Sequence, residues 1–147
     1  MTTPTGQRIF TIQKANQAVR ELRRTLPALR RALRRAEQME DRLEVLDLIC
    51  SRAISPDNPD LQEYLSLRLR YHRAVSELDD RLRQLAAKGY LLRDLDKGVV
   101  HFRGRRAGKR VFLCWREGEA EISHWHARGQ ESAGEDQRQR IDEHDDF

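Results

Sequence analysis

Cysteine is nearly absent from this chain of 147 residues: Cys50 and Cys114 lie in different segments, with no Cys-x-x-Cys spacing. That excludes a disulfide framework and fits reduced thiols in a cytoplasmic compartment. Long hydrophobic runs are missing too. No stretch of about 18 apolar residues exists to span a bilayer, and Met1 to Arg8 lacks the apolar centre of a secretory signal, so no membrane association is expected. Aromatic residues make up 6% of the chain and are concentrated, with both tryptophans and three of the five histidines between Val99 and His126. No Ser-His-acid or Cys-His-Asn context is recognisable. Nor is there a phosphate-cradling loop, since Gly108-Lys109 is followed by Arg110 where Ser or Thr is needed. Nothing in the sequence motivates an enzyme.

What the chain does have is charge and helical periodicity. With 38% hydrophobic and 35% charged residues, the composition suits long exposed helices around one small core. Behind Thr11, a candidate cap, apolar residues recur at Ile12, Ala15, Val19, Leu22, Leu26, Leu29, Leu33 and Ala36, the 3-4 alternation of a coiled-coil seam. Pro27 lies inside that run and should kink the helix. Ser55 to Pro59 reads as a connection, with Asn58 as cap and Pro59 at the first helical position. A second helix then carries Leu61, Tyr64, Tyr71, Val75, Leu78, Leu82 and Leu85 until Gly89 stops it. So short a connection makes the helices antiparallel neighbours. The first is longer, and the seam left over is expected to be covered by the strand module or by a second copy in a homodimer.

From Val99 to His126 the period changes to two, with breaks at Lys97-Gly98, Gly104 to Gly108 and Glu117-Gly118. If Arg116 pairs with Glu119 across a two-residue turn and Phe102 pairs with Val111, one face carries Val100, Phe102, Val111, Leu113, Trp115, Ala120, Ile122, His124 and His126. The other, half-wet face then carries Val99, His101, Phe112, Cys114, Arg116, Glu119, Glu121, Ser123 and Trp125. A three-residue turn would flip the last strand and mix polar with apolar residues on both faces.

Leu113-Cys114-Trp115-Arg116, Gly118-Glu119 and Trp125-His126, together with Phe10-Thr11 ahead of a long helix and Gly98-Val99-Val100 before Phe102, resemble a bacterial family known only as domain of unknown function 2203. The resemblance runs from Phe10 to His126. It departs from the family pattern at His101 and Arg103, where an acidic residue and a proline flank the phenylalanine, and at Gly129 to Glu135. That family carries no assigned activity, so the resemblance implies fold boundaries and nothing about chemistry.

Three surfaces could carry function. His124 and His126, two apart on a strand, point the same way and can chelate one metal such as zinc, with His72 as a third ligand. His101, Cys114 and Glu121 form an alternative set on the other face. The basic residues Arg20, Arg24, Arg31 and Arg34 on the first helix, with Arg105 and Arg106 in the hairpin loop, form a patch able to meet nucleic acid. Against that reading, 24 of the 28 basic residues are arginine, a bias that GC-rich coding produces by itself, and no aromatic lies among the helix arginines to stack a base. Cys114, Glu119, Glu121 and Trp125 offer a surface for a protein partner. Residues 127–147 hold 7 acidic and 3 basic groups, and the nearest acidic partner for the loop arginines is this tail.

The resulting expectation is an α+β protein. Residues 1–10 form a disordered lead-in, 11–88 a long antiparallel helical hairpin (11–54 and 58–88), 89–126 a three-stranded antiparallel sheet packed on it through Val111, Leu113 and Trp115, and 127–147 a disordered acidic tail. The expected role is a dimerising adaptor module that presents a Trp/His strand surface and needs no cofactor. A small metal-binding protein and a basic nucleic-acid binder are the alternatives.

Overall fold

The computed structural model describes residues 8–51, 55–129 and 138–147. Helix α1 runs Ile12–Cys50 and helix α2 Pro59–Ala87. Strands β1 (Leu91–Asp94), β2 (Val99–Arg106), β3 (Lys109–Arg116), β4 (His124–Ala127) and β5 (Gln139–Arg140) form one antiparallel sheet in the order β1-β2-β3-β4-β5. The α+β class and the two long helices are as the sequence implies; the sheet has five strands where three were expected. The α1 cap is present, with Lys14 N donating to Thr11 Oγ1 at 3.2 Å, and Asn58 Oδ1 accepts from Asp60 N at 2.8 Å at the start of α2.

The chain divides into two compact units, one made of residues 1–27 and 83–147, the other of residues 28–82. Helix α1 is continuous across Pro27, which stands at the boundary between the units. In the first unit, Phe10, Ala15, Ala18, Val19, Leu22 and Leu26 are buried. Phe10 is no part of a loose lead-in: its N–H donates to Arg103 O at 2.7 Å, and its ring meets Phe102 edge-on with centroids 5.1 Å apart. Tyr90 packs on Phe102 in the same way at 5.7 Å. Gly104 fits beneath Phe10 because a Cβ there would lie 3.2 Å from Leu113 and 3.4 Å from Phe10 O. Val100, Phe102, Leu113 and Trp115 are therefore the side of the sheet that faces the helices. Residues at alternate positions point the opposite way.

In the second unit, α1 and α2 are bridged by a bidentate pair in which Arg42 Nε and Nη2 donate to Glu63 at 2.8 and 2.9 Å. Every exposed large hydrophobic residue among the described ones belongs here: Val45, Leu48, Ile49, Leu65, Leu69, Val75 and Leu82. Leu22 and Leu29, in the middle of the seam read from sequence, are fully buried. The seam thus serves the chain's own core, and its uncovered apolar surface lies further along.

Two strand-level expectations are corrected. The Arg-rich segment is no loose loop: β2 and β3 run up to a two-residue turn, with φ of 50° at Ala107 and 78° at Gly108, as a type I′ hairpin requires. The tail is not wholly disordered either. β5 pairs with β4 (His124↔Arg140, Trp125↔Gln139), Arg106 binds Asp145 at 2.6 Å, and the Phe147 ring stands 6.3 Å from Trp125. Apolar Ile141 and Phe147 and the acid Asp145 give the tail enough partners to dock, while the other part of that expectation, on residues 130–137, lies outside the described residues. The lead-in expectation likewise falls outside them for residues 1–7.

Candidate metal centre

The site is made by the register of β4. Glu119 N donates to Arg116 O at 3.0 Å, so the expected tight turn at Glu117-Gly118 exists. The chain then leaves the ladder, and β4 begins only at His124, with Phe112 opposite His126 and Leu113 opposite Trp125. Helix α1 holds the detour. Asn16 Oδ1 accepts from Ile122 N at 2.7 Å, Arg23 donates to the carbonyls of Glu119 and Ala120, and Ile122 enters the core. In the expected register Arg116 and Glu119 paired; the observed pairing is offset by three residues, an odd number, so every β4 side chain changes face.

That flip moves Trp125 to the helix side of the sheet and His126 to the opposite side, among His101 and Cys114. His101 on β2 lies directly across from Cys114 on β3, and His126 comes from β4 on the far side of β3. The two imidazoles lean over the central strand until their centroids are 5.0 Å apart. All three residues are buried, and one ligand atom from each lies within 4.8 Å of the others. A tetrahedral zinc ion with ordinary Zn–N and Zn–S bonds needs its ligand atoms about 3.3–3.7 Å apart. The observed separations exceed that by no more than about 1.5 Å, a gap on the scale of a side-chain rotation. Two neutral imidazoles and a thiolate suit a borderline-soft divalent ion, and three protein ligands leave a fourth position for another donor. Burial pushes the Cys114 thiol up, and the Arg138 guanidinium, in hydrogen-bonding reach of it, acts in the opposite sense.

His124, the other half of the expected pair, shares the face but turns away from the trio. Its Nδ1 lies 2.8 Å from Ser123 Oγ and 3.2 Å from Glu119 Oε2. Glu119 organises this edge: its Oε1 accepts from Arg116 N at 2.7 Å and from Arg138 Nη2 at 2.6 Å. Burial acts to raise this carboxyl's pKa, but those donors outweigh it and hold the group below the usual range. His72 sits on α2 in the other unit, its ring 5.8 Å from Tyr71. Glu121 is exposed, outside the cluster. The observed set therefore joins His101 and Cys114 from one sequence hypothesis with His126 from the other.

Of the residues expected to face a protein partner, only Glu121 is exposed. Cys114 is 1% and Trp125 7% exposed, and Glu119 is committed to Arg138. Arg106 stacks on Trp125, its guanidinium carbon 4.7 Å from the ring centroid. Of the basic patch, Arg20 and Arg24 are exposed in the first unit, Arg31 and Arg34 are exposed in the second, and Arg105 is exposed on the hairpin, while Arg106 is taken by Asp145. No helix among the described residues is long and apolar enough to cross a membrane.

One sequence signal for the correct register was present. Trp125 is the kind of residue that seeks the core, and the expected register left it on the half-wet face. Neither a curated protein nor a solved structure matches this chain. A family model matches residues 8–141, nearly its whole length, and the chain belongs to that family, the uncharacterized conserved proteins of DUF2203.

Proposed function

We propose that this protein binds one zinc-class divalent ion through His101, Cys114 and His126. The observation that carries the reading is the convergence, in the interior of the sheet, of one ligand side chain from each of three adjacent strands. Such a site stabilises the sheet when filled, because ion binding to the folded state alone adds to folding free energy. The test is elemental analysis of the full chain purified without a histidine tag. About one zinc per chain is expected, with chelator lowering the melting temperature. His101→Ala or Cys114→Ser should abolish binding, whereas His124→Ala should retain it. A chain that takes up no metal on refolding with zinc, and whose melting curve ignores chelator, overturns the proposal.

A second reading, self-association, rests on a separate observation. Leu48 and Leu69 are 75% and 69% exposed, and apolar stripes of this kind on a helix pair favour a second copy. A dimerising interaction module remains compatible with a metal site, but it works through the second unit, since the Trp/His strand surface is buried.

A further inference from the structure

We propose that the outer face of the β2–β3 hairpin, formed by Arg103, Arg105, Arg110 and Phe112, binds single-stranded nucleic acid. In the ladder, Arg105 lies directly opposite Arg110, and next to that pair Arg106 lies opposite Lys109. Like charges facing each other across antiparallel strands oppose folding. The Arg106 side of the turn is relieved by Asp145. The outer side has no such relief: among the described residues no carboxylate pairs with Arg105 or Arg110, and both are exposed. Arg103, opposite Phe112, places its Nη1 in a buried position where no described residue accepts a hydrogen bond from it.

The type I′ turn and the ladder fix the backbone positions of these cations. Facing residues stand about 5 Å apart, and successive residues on one face about 6.8 Å apart. The backbone at Arg103 is further pinned by Phe10 N. Arginines set at that backbone spacing can reach successive phosphates, and Arg can grip a phosphate through two N–H groups. Phe112 is half-buried beside them and offers a ring edge or face to a base, the combination of cationic groove and aromatic platform used on single strands. The turn itself is Ala107-Gly108 between charged neighbours, with no large apolar side chain to enter a bilayer. Phe112 lies opposite His126 and its ring stands 6.0 Å from that of His101, so this surface adjoins the proposed metal ligands, but the arginines are no part of that set and the test does not require metal.

The experiment is fluorescence anisotropy of labelled oligothymidylate and oligouridylate with the full chain, over a series of salt concentrations. Binding should weaken with salt along a slope of about −2, as expected for about three neutralised phosphates on a single strand. Arg105→Glu with Arg110→Glu should weaken binding at least tenfold and flatten the slope. Arg110→Glu alone replaces repulsion by attraction in the ladder, so it should weaken binding while raising the melting temperature. Phe112→Leu keeps the apolar volume and should weaken single-strand binding alone, leaving duplex binding as it is. Arg20→Glu with Arg24→Glu should bind like the parent chain. The proposal fails if the parent chain does not bind either oligonucleotide at low salt, or if the hairpin variants bind as it does. It also fails if the helix variant alone loses binding, or if anionic vesicles are bound and oligonucleotides are not.

Discussion

At the scale of single residues, Glu21 joins α1 to the start of the sheet region. Its Oε2 accepts from Tyr90 O–H at 3.0 Å, and its Oε1 pairs with Lys88. Burial together with the Glu21 hydrogen bond pushes the Tyr90 phenol up to about 12, and Lys88, ahead of Tyr90, draws the Glu21 carboxyl down. The raised phenol favours the protonated ring in the folded state, so its contribution is complete below the ordinary tyrosine range near pH 10 and disappears as pH climbs towards 12. The lowered carboxyl works in the opposite sense: it contributes above about pH 4 and is lost on acidification through the folded value. Tyr90→Phe should therefore remove the latest component from a tyrosinate absorbance titration and cost about 1 kcal/mol at neutral pH. Glu21→Gln should destabilise modestly, by no more than about 1 kcal/mol because the Lys88 pair is solvent-screened, and the two melting curves should converge below pH 4 or so. Neither partner of this cluster is periodic with the other, which is why the sequence shows Tyr90 only as the residue after a helix stop.

At the scale of elements, the tail docking yields a sharp expectation. β5 adds a strand to the edge of β4, Ile141 N donates to Ser123 O at 2.9 Å, and Phe147 covers Trp125. Truncation after residue 137 should lower the melting temperature and raise amide exchange along β4, since the paired edge is uncovered. An unchanged melting curve would mean that the strand contributes nothing. Helices were legible in the sequence because their signal is local: seam, cap and stop all lie within a few residues. The hairpin of β2 and β3 was half legible: its faces are correct from alternation, but Phe102 pairs with Leu113 and not with Val111, a shift of two residues that keeps the faces and goes with a tighter turn than the glycines suggested. β4 was not, since its register depends on Asn16 and Arg23, about a hundred positions away in the chain. β5 was hidden by composition, because two polar residues paired to an edge look like any stretch of tail.

At the scale of the whole molecule, all the exposed large apolar side chains among the described residues fall in one unit and the candidate metal ligands in the other. Leu48→Glu with Leu69→Glu should convert any dimer to monomer in sedimentation while leaving zinc content untouched; dimers that persist in this variant would remove the second unit from the interface. The sequence located the apolar excess but misjudged where it lies, since Leu22 and Leu29 proved internal. Pro27 also acts at this scale. With no N–H, it leaves the Arg23 carbonyl without the helical donor it would otherwise have, inside a helix that nevertheless runs on for 39 residues. The missing rung sits at the border of two units that each have their own buried residues. Such a gap lets one half of a helix open without dragging the other along. Amide exchange should then sort α1 into two protection classes that meet at Pro27, with the slow class on the side that holds the sheet, and heat should take the protein apart in two steps.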